Sequence, residues 1–143
     1  MRISKLLEAK GGFVATIDPQ ATVADALVEL SRNGIGALVV STDQLHIEGI
    51  VSERDVVRQL ERRGPEVLRD RVSRIMSTHV ETCSPDDEVD SLMRTMTDHR
   101  IRHLPVVSGG ELCGIVSIGD VVKNRIGELE DDKSALLNYI GAR

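Results

Sequence analysis

Gly49-Ile50-Val51-Ser52-Glu53-Arg54-Asp55-Val56-Val57-Arg58 returns later in the chain as Gly114-Ile115-Val116-Ser117-Ile118-Gly119-Asp120-Val121-Val122-Lys123. Seven of these ten positions are identical, at an offset of 65 residues. Upstream, Pro19 matches Pro85, Val23 matches Val89 and Ile35 matches Ile101 at an offset of 66, so the loop between Val40 and Gly49 differs from its counterpart by one residue. The lead-in repeats more weakly, with Ile3-Ser4-Lys5-Leu6-Leu7 resembling Val72-Ser73-Arg74-Ile75-Met76. The chain is therefore two copies of a unit of about 60 residues, flanked by a lead-in and a tail. A unit that small buries too little surface to be secure alone, and two copies packed together remove the difficulty.

Each copy reads in the same order. An extended piece (residues 14–17; 80–83) runs into a turn at Asp18-Pro19 or Ser84-Pro85, where proline stops a strand interior. A helix follows, with Thr22 and Asp25 forming a capping box in copy one and Asp87 the expected N-cap in copy two. Val23, Ala26, Leu27 and Leu30 make one apolar stripe, and Val89, Leu92, Met93 and Met96 the other. The helices are expected to end near Asn33-Gly34 and His99-Arg100. A buried strand (residues 37–40; 103–107), a polar turn and a second strand (residues 49–51; 114–116) form a hairpin, and a second helix begins at Ser52 or Ser117. The expected fold is α+β, two strand–helix–strand–strand–helix units. The charged stretch 59–71, broken at Gly64-Pro65, reads as a solvated linker.

Composition narrows the function. The 143 residues carry a net charge of −5 and only two aromatic residues, Phe13 and Tyr139, so the core is aliphatic. A stacking platform for single-stranded nucleic acid is excluded, and the acidic balance opposes general nucleic-acid binding. Cys83 and Cys113 are 30 residues apart, and His46, His79, His99 and His103 do not complete a metal-binding spacing. No apolar run approaches the roughly 20 residues that span a bilayer, and the N-terminus lacks a signal-peptide pattern, so the expected location is the cytoplasm. No nucleophile–base pair is visible. His103 is the one acid/base candidate, and no enzyme activity is expected.

Two places carry chemistry. Ser52-x-x-Asp55 and Ser117-x-x-Asp120 stand where a strand turns into a helix. A serine there is an ordinary N-cap and the aspartate an ordinary first-turn acid. The duplication, and Arg54 in the same turn, also suit an anion site with a carboxylate able to accept two ribose hydroxyls. The second place is Arg100-Ile101-Arg102-His103-Leu104-Pro105-Val106. On a strand, Arg100 and Arg102 share one face and His103 takes the other, unless the backbone twists there. The stretch is either a solvated basic edge or a phosphate clamp with planar guanidinium donors. Copy one has Ile35-Gly36-Ala37 there, without charge, so two unequal sites are expected.

The duplicated unit resembles the CBS domain, and the pair a Bateman module, a stand-alone pair of the bacterial type. The carriers in copy one are Thr16-Ile17-Asp18-Pro19, Asn33-Gly34-Ile35-Gly36-Ala37-Leu38-Val39-Val40 and Gly49 to Asp55. In copy two they are Thr82-Cys83-Ser84-Pro85, Arg100 to Val106 and Gly114 to Asp120. The resemblance implies a compact disc with pseudo-twofold symmetry and two clefts that take adenosine-containing ligands: AMP, ADP, ATP, NAD(H) or S-adenosylmethionine. It sets CBS domain 1 with its lead-in at residues 1–66, CBS domain 2 at 67–127 and a helical tail at 128–143.

Carried onto this chain, the resemblance implies a first site of Ser52, Arg54, Asp55, Thr82, Ile101, Arg102 and His103. Asp55 would hold the ribose, Ser52 and the basic residues the phosphate, and Ile101 with the Thr82 backbone the adenine. The second site would join Thr16, Ile35, Gly36 and Ala37 to Ser117, Gly119 and Asp120. It would be weaker for phosphate or suited to a dinucleotide. No catalytic cofactor is implied. The expectation is a regulatory sensor acting on a partner protein, the alternative a structural or dimerisation module with vestigial clefts. In the tail, Val122, Ile126, Leu129, Leu136 and Ile140 form a heptad-like stripe, either packed on its own domain or serving a homodimer.

Overall fold

The computed structural model describes residues 1–141. A lead-in helix α1 (Ile3–Lys10) precedes β1 (Thr16–Ile17), α2 (Val23–Asn33), β2 (Ala37–Val40), β3 (Gly49–Ser52) and α3 (Glu53–Arg63). A 3-10 turn (Pro65–Arg69) and α4 (Val72–Ile75) lead to α5 (Val89–His99), β4 (His103–Ser108), β5 (Glu111–Ser117) and α6 (Ile118–Gly141). In copy one β1 runs parallel to β2, which pairs antiparallel with β3. In copy two β4 and β5 form the equivalent hairpin, bulged between Val106 and Val107.

The expected first strand of copy two shrinks to one parallel bridge, Cys83 to Val106. The cause is Pro105, which stands where copy one has Val39. In copy one Thr16 pairs with Val39, but proline has no N–H with which to extend the same ladder to Thr82. Another difference lies at the helix starts. Thr22 and Asp25 form the reciprocal capping box, but α5 begins after Glu88 with no side-chain cap. Asp87, the expected cap, instead accepts the Ser84 amide at 2.8 Å and closes the turn before the helix. Both helices end in the left-handed conformation, at Gly34 (φ 60°) and Arg100 (φ 54°).

The apolar stripes build two cores. In the first, Val23, Ala26 and Leu30 of α2 meet Leu38 and Val40 of β2 and Val51 of β3. In the second, Val89, Leu92 and Met96 of α5 meet Leu104, Val106 and Val116. The lead-ins cross over between them. Ile3 and Leu6 of α1 complete the second core, while Val67, Val72 and Ile75 complete the first. The stretch 59–71 is thus more than a solvated linker, since Val67 is wholly buried. The exchange is repeated in backbone hydrogen bonds. Ile3 donates to Asp87, Ser4 to Pro85 and Val89 to Met1, each at 2.9 Å. The matching bonds run from Val72 to Ala21 (2.7 Å), Ser73 to Pro19 (3.0 Å) and Val23 to Asp70 (2.9 Å).

The first glycine of each recurring stretch receives the crossing segment. A Cβ at Gly114 would lie 2.7 Å from Leu7 Cδ2. At Gly49 it would lie 2.7 Å from Met76 Sδ and 2.8 Å from the Ser77 carbonyl oxygen. That carbonyl accepts the Ile50 amide and cannot move freely. Gly127, inside α6, has open space around it. Gly49→Ala is therefore expected to lower stability by about 1–3 kcal/mol through overpacking. Gly127→Ala should raise helix stability by up to about 1 kcal/mol. Urea unfolding followed by circular dichroism checks both, and equal signs would contradict the packing described.

Candidate functional site

The end of β3 and the end of β5 present the same local device. Ser52 Oγ accepts the Asp55 amide at 3.2 Å, and Asp55 Oδ2 accepts the Ser52 amide at 2.8 Å. Ser117 and Asp120 repeat it at 3.1 and 2.8 Å. Each pair is a complete capping box, so the serines do cap their helices, and each aspartate is held in a fixed orientation. The Ser52 hydroxyl also lies 3.0 Å from Asp55 Oδ2.

Beside Asp55 lies a cavity of about 830 Å³, lined from both copies. Ser52, Arg54, Asp55, Ile101, Arg102 and His103, all expected at one site, line it together. Thr82, expected with them, does not; it is exposed outside the lining. Gly36 and Ala37, expected opposite Asp120, line this cavity instead. A Cβ at Gly36 would come 3.2 Å from the His103 ring, so the two copies touch here. Thr16, Ile35, Ser117, Gly119 and Asp120 lie outside the lining.

Arg102 and His103, expected together, both line the cavity, and Arg100 joins them. Strand β4 begins only at His103, and the left-handed turn at Arg100 removes the alternation before it. Sequence reasoning missed Arg58, Ser77, His79, Glu81 and His99, which with Ile50, Glu53, Val80 and Arg100 complete the wall. Arg58 was discoverable, since it lies one helical turn beyond Arg54. The others come from the extended segment before Cys83 and the end of α5, and only folding brings them to the cleft. Four guanidinium groups (Arg54, Arg58, Arg100, Arg102) face three carboxylates (Glu53, Asp55, Glu81). Glu81 lies 3.1 Å from the His79 ring and 3.8 Å from that of His99. Such a cleft, cationic with apolar patches at Ile50, Val80 and Ile101, suits an anion carrying a flat apolar group.

The equivalent position in copy two is different. Lys10 Nζ donates to Asp120 Oδ2 at 2.5 Å and to the Ile115 carbonyl at 2.7 Å. Burial works to raise the Asp120 carboxyl, but the bonds from Lys10 and the Ser117 amide prevail and hold it below its ordinary value. Among the described residues no lysine or arginine makes an ion pair with Asp55. Burial also pushes the Cys83 thiol up to about 12, which makes it a poor nucleophile.

The profile of the CBS domain matches residues 13–62 and again residues 72–127. The chain belongs to the CBS domain family. The fold agrees with a solved CBS-domain containing protein from Agrobacterium tumefaciens, 40% identical, with a TM-score of 0.84 over 87% of this chain and 99% of that one. A CBS domain protein from Pyrobaculum aerophilum, solved in complex with AMP, is 31% identical, with a TM-score of 0.74 over 84% and 89% of the two chains. A mitochondrial CBS domain-containing protein of Arabidopsis thaliana is 34% identical over 96% of this chain and 71% of its own length. Among the described residues, no helix is long and apolar enough to cross a membrane.

Where the CBS copies meet, burial lowers the His103 imidazole from its ordinary value, helped by repulsion from Lys10 and Arg102 and opposed by Asp120 and Glu53. The unfolded chain therefore takes the proton more readily, and His103 should cost stability as pH falls below about 6.5. Urea midpoints at about pH 7.5 and about pH 5.5 test this. The wild type should lose more stability between them than His103→Asn, and an equal loss would show a freely solvated imidazole.

Proposed function

We propose that this CBS pair is a non-catalytic adenine-nucleotide sensor, acting in the cytoplasm, with the Asp55 cleft as its binding site. The observation that carries the reading is a cavity in which a carboxylate held at a helix start is joined on the wall by two arginines of its own helix, Arg54 and Arg58, and two from the other copy, Arg100 and Arg102. Asp55 Oδ2 is engaged by Ser52, and its other oxygen is available to accept ribose hydroxyls. Arg54, Arg58, Arg100 and Arg102 can hold phosphate, with Ile101 and Ile50 beside the base. The AMP in the Pyrobaculum relative supports an adenine nucleotide, and AMP, ADP, ATP and NAD(H) all fit the same chemistry. Ligand would bias the closure of two halves that both contribute to the wall, and a partner protein would read that bias.

The test is calorimetry on protein stripped of nucleotide. Asp55→Ala and Arg102→Ala should each weaken AMP binding by about tenfold or more, since hydrogen bonds to charged groups contribute about 1.5–3 kcal/mol. Unchanged affinity in both variants would displace the site. A lack of heat with AMP, ATP and NAD(H) at millimolar concentration would defeat the sensor reading.

A second reading, a structural module with vestigial clefts, draws on the capping boxes, which give both Ser-x-x-Asp pairs a role in stability. Ser52→Ala with Asp55→Asn separates the two, because a vestigial cleft would lose stability and no affinity. Either reading accommodates a homodimer. Val122, Ile126, Leu129, Leu136 and Ile140 are each about half exposed or more along α6, and a second copy is the occupant we propose for that stripe. Leu129→Glu with Leu136→Glu should halve the mass measured by light scattering. A wild type already monomeric at micromolar concentration would remove the proposal.

A further inference from the structure

The two Ser-x-x-Asp boxes differ in one respect that the duplication does not predict. In copy two the Asp120 carboxylate is occupied by a group from the protein itself. Lys10 Nζ bridges Asp120 Oδ2 at 2.5 Å and the Ile115 carbonyl at 2.7 Å, and the two side chains are 30% and 25% exposed. The matching carbonyl in copy one, that of Ile50, is taken by the Ser77 amide at 2.9 Å, and no lysine or arginine pairs with Asp55 among the described residues.

The cause is a difference in helix length. The lead-ins align Leu7 with Met76, and both pack against the first glycine of a recurring stretch. Beyond that point α1 continues to Lys10, while α4 has already ended at Ile75. The lead-ins align at an offset of 69 and the segments after them at 66, so copy one has three extra residues here, close to one helical turn. That turn carries the ammonium over Asp120. His79, the residue aligned with Lys10 in the lead-in register, points instead to Glu81 at 3.1 Å.

We propose that Lys10 is a built-in occupant of the Asp120 box, holding Asp120 and the Ile115 carbonyl where a ligand's hydroxyl groups would otherwise bind, so that each chain takes one nucleotide, at Asp55. The inference rests on the sensor reading for the ligand, but the lock itself does not require it. An ammonium at this distance competes directly with a ribose diol, because a hydroxyl pair gains from Asp120 only after the charge-assisted bond is broken. Gly36 and Ala37, expected to complete a site at Asp120, stand on the wall of the Asp55 cavity instead. Asp120 therefore stays bonded to Lys10 at nucleotide concentrations that fill the Asp55 cavity.

Two measurements on the full chain test it. Titration calorimetry with AMP should give one site per chain for the wild type and two for Lys10→Met, which keeps the aliphatic stem. Two sites in the wild type, or a single site in the variant, overturns the proposal. Acetylation of surface amines, followed residue by residue by mass spectrometry, reads the lock without nucleotide. Lys10 should react several-fold faster in Asp120→Asn than in the wild type, while Lys5 and Lys123 keep their rates. Equal Lys10 rates overturn the lock. If neither protein binds AMP but Lys10 is protected by Asp120, the nucleotide reading fails and the self-occupied box stands.

Discussion

Each half of this molecule is finished by a segment that precedes the other half in the chain. Ile3 and Leu6 close the core built by α5, β4 and β5, and Val67, Val72 and Ile75 close the core built by α2, β2 and β3. Either half alone would expose the apolar seat left by the missing segment, and a domain of this size has little stability to spare for that exposure. The crossing also sets geometry. The backbone bonds from Ile3 and Ser4, and their counterparts from Val72 and Ser73, fix the helix starts of opposite copies. The wall of the Asp55 cleft, with residues from both copies, is a consequence of that arrangement rather than a separate construction.

Much of the fold was legible because it was written twice. The period of apolar residues in α2 and α5 and the Ser52 and Ser117 starts could each be checked against a second instance. The reading failed where the copies differ. Pro105 withholds the N–H that the ladder would have needed to continue past Cys83, and Glu88 replaces the capping hydroxyl of Thr22. Val67 was hidden in a charged stretch, where one buried residue among Glu66, Arg69 and Asp70 leaves no periodic signal. The crossing of the lead-ins was not legible either, because a weak match between Ile3–Leu7 and Val72–Met76 says that two segments are alike and nothing about which core each one enters.

The candidate site was legible in its chemistry and less so in its membership. The aspartates at the two helix starts stood out by recurrence, and the basic run 100–103 by composition. Arg100 was expected near the end of its helix, but the left-handed turn it makes there was not foreseen. It occupies the left-handed conformation that Gly34 occupies in copy one, at a cost of about 1 kcal/mol or more for a side chain with a Cβ. Glycine would be the economical residue there. An arginine in its place adds a cation to the cleft wall, and strain held at a binding surface is a familiar sign that position matters more than local comfort.

Pseudo-symmetry is usually taken to imply two equivalent sites, but equivalence of backbone does not carry over to electrostatics. The two Ser-x-x-Asp boxes share the same pair of backbone-to-side-chain hydrogen bonds. What each can accept is decided by the nearest charge. A turn of helix after Leu7 brings an ammonium onto one carboxylate, and the absence of that turn after Met76 leaves the other facing a cavity. Charge–charge interactions fall off slowly and hydrogen bonds steeply, so a cation displaced by one turn, about 5 Å, would still attract Asp120 without occupying its oxygens. Three residues in a connecting segment, far from any conspicuous motif, are therefore enough to turn a duplicated pair of boxes into one available acceptor and one already satisfied.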